Sequence, residues 1–181
     1  NFEEITLVGL SNSEPTMKNK PKILISACLL GENCKYNGGN NADAICAGEL
    51  AKLRQIYELI VVCPESMGGL TTPREPAEIC SNGRVLTKFS GRDVTREFIL
   101  GAQICADIAR ENGCEIAILK ERSPSCGSGW IYDGSFTGQL VSGDGLTAAA
   151  LKKLGVQVVG ESALAELNLE KEAENGRVDK R

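Results

Sequence analysis

The chain contains no histidine among its 181 residues. That absence removes Ser-His and Cys-His nucleophile pairs and any imidazole-ligated zinc. Proton transfer must then fall to carboxylates, Lys, Tyr, Cys or water. Aromatic residues are scarce as well, with one Trp, three Tyr and four Phe, too few for a platform that stacks successive bases. Twenty Lys+Arg against twenty-four Asp+Glu leave a net charge of −4, so the basic surplus that a long nucleic acid demands is missing. No apolar run approaches the length of a membrane span, and stretches such as 59–63 end after a few residues. The N-terminal stretch lacks the charged start, apolar segment and small-residue cleavage site of a secretory signal. A cytoplasmic protein with reduced thiols, no membrane and no long nucleic-acid partner is expected.

What the chain does have is cysteine, eight in all. An even count fits a secreted disulfide framework, but such scaffolds are shorter, and these cysteines sit inside apolar strand and helix patterns. A chain of 181 residues also buries a sizeable core without stapling. Residues 1–16 read as an upstream extension or cloning remnant, because Met17 stands just before the first strand pattern. Residues 17–165 read as one α/β domain and 166–181 as a charged tail that frays or forms a surface helix.

Between the tails, strand and helix patterns alternate. Strands are expected over 22–27, 59–63, 85–89, 115–120 and 156–160, and helices over 42–57, 94–111 and 147–154. Asp93 is positioned as an N-cap and Gly113 as a C-cap for the middle helix, with Phe98, Ala102, Cys105 and Ala109 on one face. Residues 130–137 carry Asp133-Gly134, a tight-hairpin signal. The alternation predicts a Rossmann-like, open, mostly parallel α/β sheet with helices on both faces and small hairpins.

Three cysteines follow three of these strands. Cys28 comes after the first, Cys63 closes the second, and Cys126 lies just past the strand over 115–120. Open α/β sheets bind ligands outside the carboxyl ends of their strands, so three thiols distant in sequence can converge there. The plain alternative is that they are small buried residues, as free cysteines commonly are. Three thiolates without histidine point instead to a soft metal centre. Structural zinc favours close C-x-x-C pairs, and the chain has none. An iron–sulfur cluster ordinarily takes four cysteines, and three would leave one iron open, the position a Lewis-acid catalyst needs.

The segments SACLLG…KYNGG, VCPE…GL…PREP, GRDVT and KERSPSCGSG, in that order, resemble the thiouracil desulfidase family over about 22–161. The resemblance implies a four-iron, four-sulfide (4Fe-4S) cluster held by Cys28, Cys63 and Cys126, with one open iron site. It implies removal of sulfur, as sulfide and without net redox, from a small thiolated substrate, with 2-thiouracil giving uracil. Glu65, two residues past Cys63, is the first choice for moving protons. Ser123 and Ser125 are candidate hydrogen-bond donors to the ring or to cluster sulfides, and Arg74 and Asp93 are candidates for orienting substrate. The family pattern also includes a second domain after the cluster domain, and an acidic residue at the position held here by Met67.

The remaining cysteines read as packing residues: Cys105 lies on the apolar helix face and Cys114 opens a buried strand. Cys34, in the loop after Cys28, is the exception, as a fourth ligand or a sulfur-accepting thiol. Asp93 also has an ordinary reading as a helix cap, Arg74 as an ion-pair partner and Glu65 as a loop carboxylate. Two other functions compete with desulfuration. A cysteine-persulfide sulfurtransferase would need a low-pKa thiol but no iron, and a non-catalytic cluster-binding sensor would need a fourth protein ligand.

Overall fold

In the computed structural model, which describes residues 20–167, the elements run β1 (Lys22–Ser26), α1 (Ala47–Ile56), β2 (Glu58–Val62), α2 (Pro64–Met67), β3 (Ala77–Ile79) and β4 (Val85–Thr87). They continue with α3 (Thr95–Asn112), β5 (Ile116–Leu119), β6 (Trp130–Tyr132), β7 (Leu140–Ser142), α4 (Leu146–Lys153) and β8 (Gln157–Gly160). Short 3-10 turns cover Ala27–Leu30, Ala42–Ala44 and Glu161–Glu166. The expected extension over 1–16 and all but the start of the expected tail lie outside the described residues.

Four strands form one parallel sheet in the order β2-β1-β5-β8. The chain leaves β1 in one direction to build β2, then crosses back to build β5 and β8 on the other side. The crossover direction therefore reverses at β1/β5, and a ligand crevice is expected at the carboxyl ends there. Side chains alternate across the sheet as the pleat requires. Ile23, Ile25, Ile116, Ile118 and Val159 point to one face, packed with Leu53 and Tyr57 from the α1 side and with Leu164. Leu24, Ala117 and Leu119 point to the other, against Cys105 and Ala109 of α3 and Ala148 and Leu151 of α4. Burial on both faces explains why the strands read as unbroken apolar runs. The open parallel sheet with helices on both faces and small hairpins is thus the architecture that forms. Among the described residues no helix is long and apolar enough to cross a membrane.

Several local expectations shift. The helix expected over 42–57 splits, because Cys46 ends the 3-10 turn region and starts α1 with a capping box. Its Sγ accepts the Glu49 amide at 3.4 Å, while Glu49 Oε2 accepts the Cys46 amide at 3.3 Å. Strand β4 pairs with β3, and β6 with β7, as two separate antiparallel hairpins. Asp133-Gly134 does not make a two-residue turn; the β6–β7 connection runs from 133 to 139 and closes with Asp133 N–H donating to Gln139 O at 3.1 Å. Gly113 is the left-handed C-cap of α3 as expected. Asp93 falls one residue short of the cap, since α3 begins at Thr95 with Val94 as N-cap. Asp93 Oδ1 nonetheless accepts the Thr95 amide at 3.0 Å, which satisfies an otherwise orphaned donor of the first turn.

Helix α2, with Pro64 in its first turn, carries the residues just after Cys63. It meets α3 backbone to backbone. A Cβ on Gly101 would lie 1.9 Å from Pro64 O, and one on Gly68 would lie 1.9 Å from Glu97 O. Only glycine at both positions lets the helices touch this closely. Met67, on the same short helix, faces the core, its sulfur 3.7 Å from the Cys105 thiol.

Gly101→Ala is expected to force α2 off α3 and to cost about 1–3 kcal/mol in a denaturant titration. Gly48→Ala in α1, where a Cβ meets nothing within 4 Å, is expected to stabilise by about 0.5–1 kcal/mol in the same titration. Hydrogen bonds from Thr95, and then the Arg84 guanidinium, hold the Asp93 carboxyl down at about 2 from its usual 3.8. A carboxylate depressed in the folded state stabilises above its unfolded pKa and loses that contribution as pH falls through the folded value. Asp93→Asn is therefore expected to lower Tm at pH 7, with the gap to the parent protein closing below about pH 4.

Candidate active site

A cavity of about 490 Å³ opens at the carboxyl ends of β1, β2 and β5, and Cys28, Cys34, Cys63 and Cys126 all line it. Cys28 lies in the 3-10 turn that follows β1 directly, and its carbonyl accepts the Asn41 amide at 2.8 Å, drawing in the far end of the 31–41 loop. Cys63 is the residue between β2 and α2. Cys126 is buried in the loop after β5.

That last loop is built with unusual rigidity from its own sequence. Ser123 Oγ accepts the amides of Ser125 at 3.1 Å and Cys126 at 3.2 Å, and Ser123 O accepts the Gly127 amide at 2.8 Å. The carbonyls of Pro124 and Ser125 accept the Leu146 and Thr147 amides at 2.9 and 2.8 Å, satisfying the free donors at the start of α4. A Cβ on Gly145 would fall 2.5 Å from Ser125 O, so glycine there is what admits this contact. Ser26, at the end of β1, accepts the Lys120 amide at 3.0 Å and sits 3.5 Å from Cys126 Sγ as its hydroxyl donor.

The thiols differ in their chemistry. Hydrogen bonding from the Cys34 thiol draws Cys63 down to about 6, helped by Ser66 and opposed by burial. The same donor draws Cys28 down to about 7, against burial and with help from Asn41. Cys34, as proton donor to both, is pushed up. Cys126 is raised well above the ordinary thiol value by burial. The cavity therefore holds two thiols drawn toward the thiolate form, Cys28 and Cys63, and two held toward the neutral form, Cys34 and Cys126. Among the described residues, no three His, Cys, Asp or Glu side chains are grouped to hold a single metal ion.

Glu65 and Arg74 also line this cavity. Arg74 Nε and one terminal nitrogen both reach Glu65 Oε2, at 2.7 and 2.6 Å. The same nitrogen donates to Cys34 O at 2.9 Å, so one guanidinium holds the carboxylate and the Cys34 loop together. Ser125 is fully buried and donates to Glu65 Oε1 at 3.3 Å. It stands behind the carboxylate, away from the cavity wall, which corrects the expectation that it faces a ring or sulfides. Ser123 does line the cavity; its oxygen is spent on backbone amides and its proton remains available to donate. Asp93 does not join the site: it pairs with Arg84 at 2.8 Å on the β3–β4 side and lines no part of this cavity. Its orienting role is withdrawn in favour of the helix-start contact. Ser26, Ser66 and Glu78 were not singled out in sequence, although Ser26 stands inside the SAC motif, two residues before Cys28.

Comparison with known proteins fits this geometry. A family model described as 2-thiouracil desulfurase matches residues 23–163. The YbbK protein of Bacillus subtilis (strain 168), described as uncharacterized, is 42% identical over 153 residues, covering 80% of this chain and 99% of its own. A solved structure of a 4Fe-4S-dependent thiouracil desulfidase, TudS, is 44% identical with a TM-score of 0.76, covering 84% of this chain and 98% of that one. With its matched span, its identity to both relatives and the thiols gathered at its strand ends, the chain belongs to the 2-thiouracil desulfurase family.

Proposed function

We propose that the chain is a 4Fe-4S-dependent, non-redox desulfidase that converts a small thiolated pyrimidine, 2-thiouracil foremost, to its oxo form with release of sulfide. The observation that carries this reading is the convergence of Cys28, Cys63 and Cys126 from three strand ends on one cavity. The donor set fits a cluster: it is all thiol and contains no imidazole. Cys28 and Cys63 are already inclined to the thiolate form, and ligation would deprotonate the buried Cys126 outright. Held by these three residues, the cluster supplies an open iron as a soft Lewis acid for the substrate's sulfur.

The chain's own groups then manage position and protons. The overall change is C=S plus water to C=O plus hydrogen sulfide. The Glu65 carboxylate takes one proton from the attacking water and returns it to the departing sulfur, and the water's second proton follows as the carbonyl forms, completing hydrogen sulfide. Arg74 and Ser125 fix that carboxylate from two sides, so it need not reorganise during the transfer. The Ser123 hydroxyl donates to the ring. The small cavity, in a chain of net charge −4, suits a free base or other small compound over a long nucleic acid. Free cysteines throughout suit the reducing cytoplasm.

A persulfide sulfurtransferase is the second reading, favoured by the lowered pKa of Cys63. Iron dependence separates the two. Reconstituted without oxygen, the chain is expected to carry about four irons and four acid-labile sulfides and to release sulfide from 2-thiouracil. Sulfide release that survives removal of iron would overturn the cluster mechanism. A full cluster without turnover would favour a sensor.

Cys28→Ala, Cys63→Ala and Cys126→Ala are each expected to lose bound iron and turnover together. Glu65→Gln is expected to keep iron and sulfide content while kcat falls about 10²–10⁴-fold. Equal loss of iron in the Glu65 variant would make Glu65 a structural residue.

A further inference from the structure

Two features of the cavity are not used by the chemistry above. Among the described residues, Arg122 (φ 61°) and Phe136 (φ 59°) are the two non-glycine residues with a left-handed backbone, and both line this cavity. A bulky residue in that region costs conformational energy and persists only where its surroundings hold it. For Phe136 the holding group is visible. Glu78, on β3 and only 9% exposed, uses a single oxygen, Oε2, to accept the amides of Gly134 and Phe136, each at 3.0 Å. Gly134 packs so closely on the β3–β4 hairpin that a Cβ would lie 2.7 Å from the Cα of Cys80. Ser135 braces the loop from within, donating its amide to Asp133 Oδ1 at 2.9 Å and meeting Thr137 Oγ1 at 2.7 Å. The connection over 133–139 is therefore docked on a separate hairpin by a buried carboxylate, with an aromatic ring at the cavity.

We propose that Phe136 is the stacking wall for the substrate's pyrimidine ring, and that Glu78 is the positioning residue that holds it over the cavity. The inference rests on the desulfidase reading and assigns it a specificity element. A thiolated pyrimidine presents a flat π-face whatever its substituents, and an aromatic wall recognises that face while leaving the ring edge free. Such a contact forms with substrate and product alike, so its loss acts on binding and leaves the chemical step nearly unchanged.

The test is a kinetic and binding series on the cluster-loaded chain. KM and kcat are measured with 2-thiouracil, uracil and 2-thiouracil affinities are measured by calorimetric titration, and iron content and Tm are followed throughout. Phe136→Ala is expected to raise KM and weaken uracil binding by about tenfold, with kcat within about threefold and iron content unchanged. Phe136→Tyr keeps the ring and is expected to behave as the parent. Glu78→Ala is expected to reproduce the KM and uracil effects, and Glu78→Gln, whose amide oxygen still accepts both backbone N–H groups, to restore them. Unchanged KM and uracil affinity in Phe136→Ala would overturn the stacking wall. A Glu78→Ala variant that loses kcat or iron while its KM stays put would overturn the positioning role. A parent chain that binds 2-thiouracil without releasing sulfide would overturn the reaction, while the same titrations still decide the wall. A parent chain that binds neither compound would overturn both.

Discussion

Everything at the cavity hangs from the parallel registry of β1 with β2 on one side and β5 on the other. Ser26 is level with Val62 across the first pair, and Ile25 with Ile118 across the second. The next residues on each strand turn off the sheet at nearly the same height, which brings Cys28, Cys63 and the loop carrying Cys126 to one edge. Because alternate side chains are buried on opposite faces, a slip of one residue would turn the apolar set of β1 inside out. Hydrophobic burial thus fixes the positions of the thiols, two of which, Cys28 and Cys126, are themselves packed into the two core clusters.

From that edge outward, the site is held by backbone and polar contacts more than by bulk. The Gly68–Gly101 contact sets α2 against α3 and with it the start of the Cys63–Glu65 segment. The first amides of α4 are satisfied by the carbonyls of Pro124 and Ser125, so the loop bearing Cys126 cannot shift without exposing helix donors. Arg74 and Glu65, whose side chains are 9% and 19% exposed, form a largely buried ion pair. A pair this dry gives little net stability compared with apolar residues of the same size. Its place at the cavity, with one arm on the Cys34 carbonyl, gives it a role in positioning.

The strand and helix succession was legible because β1 and β5 are buried on two faces and read as apolar runs, and because Gly113 ends α3 where the helical period stops. The small pieces were less legible. β3 and β7, three residues each, are too short to show a period, and β7 is exposed along its whole length. The split before α1 escaped because cysteine is an uncommon capping residue, although Cys46 and Glu49 have capping-box spacing. Asp93 looked like a site residue because it stands in a motif, and it proved to serve the start of α3.

By itself, the sequence determined the class of chemistry. With no histidine, eight cysteines and three of them just past apolar strand runs, the available metal donors are soft and proton transfer is left to carboxylates, Lys, Tyr, Cys or water, a consequence of composition that no folding can alter. Tertiary structure alone decided which groups act together: that Cys34 stands beside Cys28, that Ser125 backs Glu65 and does not face the cavity, that Ser26 reaches Cys126, and that Glu78 holds Phe136 from another hairpin. These pairs are separated by 6 to 100 positions in the chain. Local propensity carries no information across such distances; only packing of the sheet and its loops brings the partners within hydrogen-bonding range.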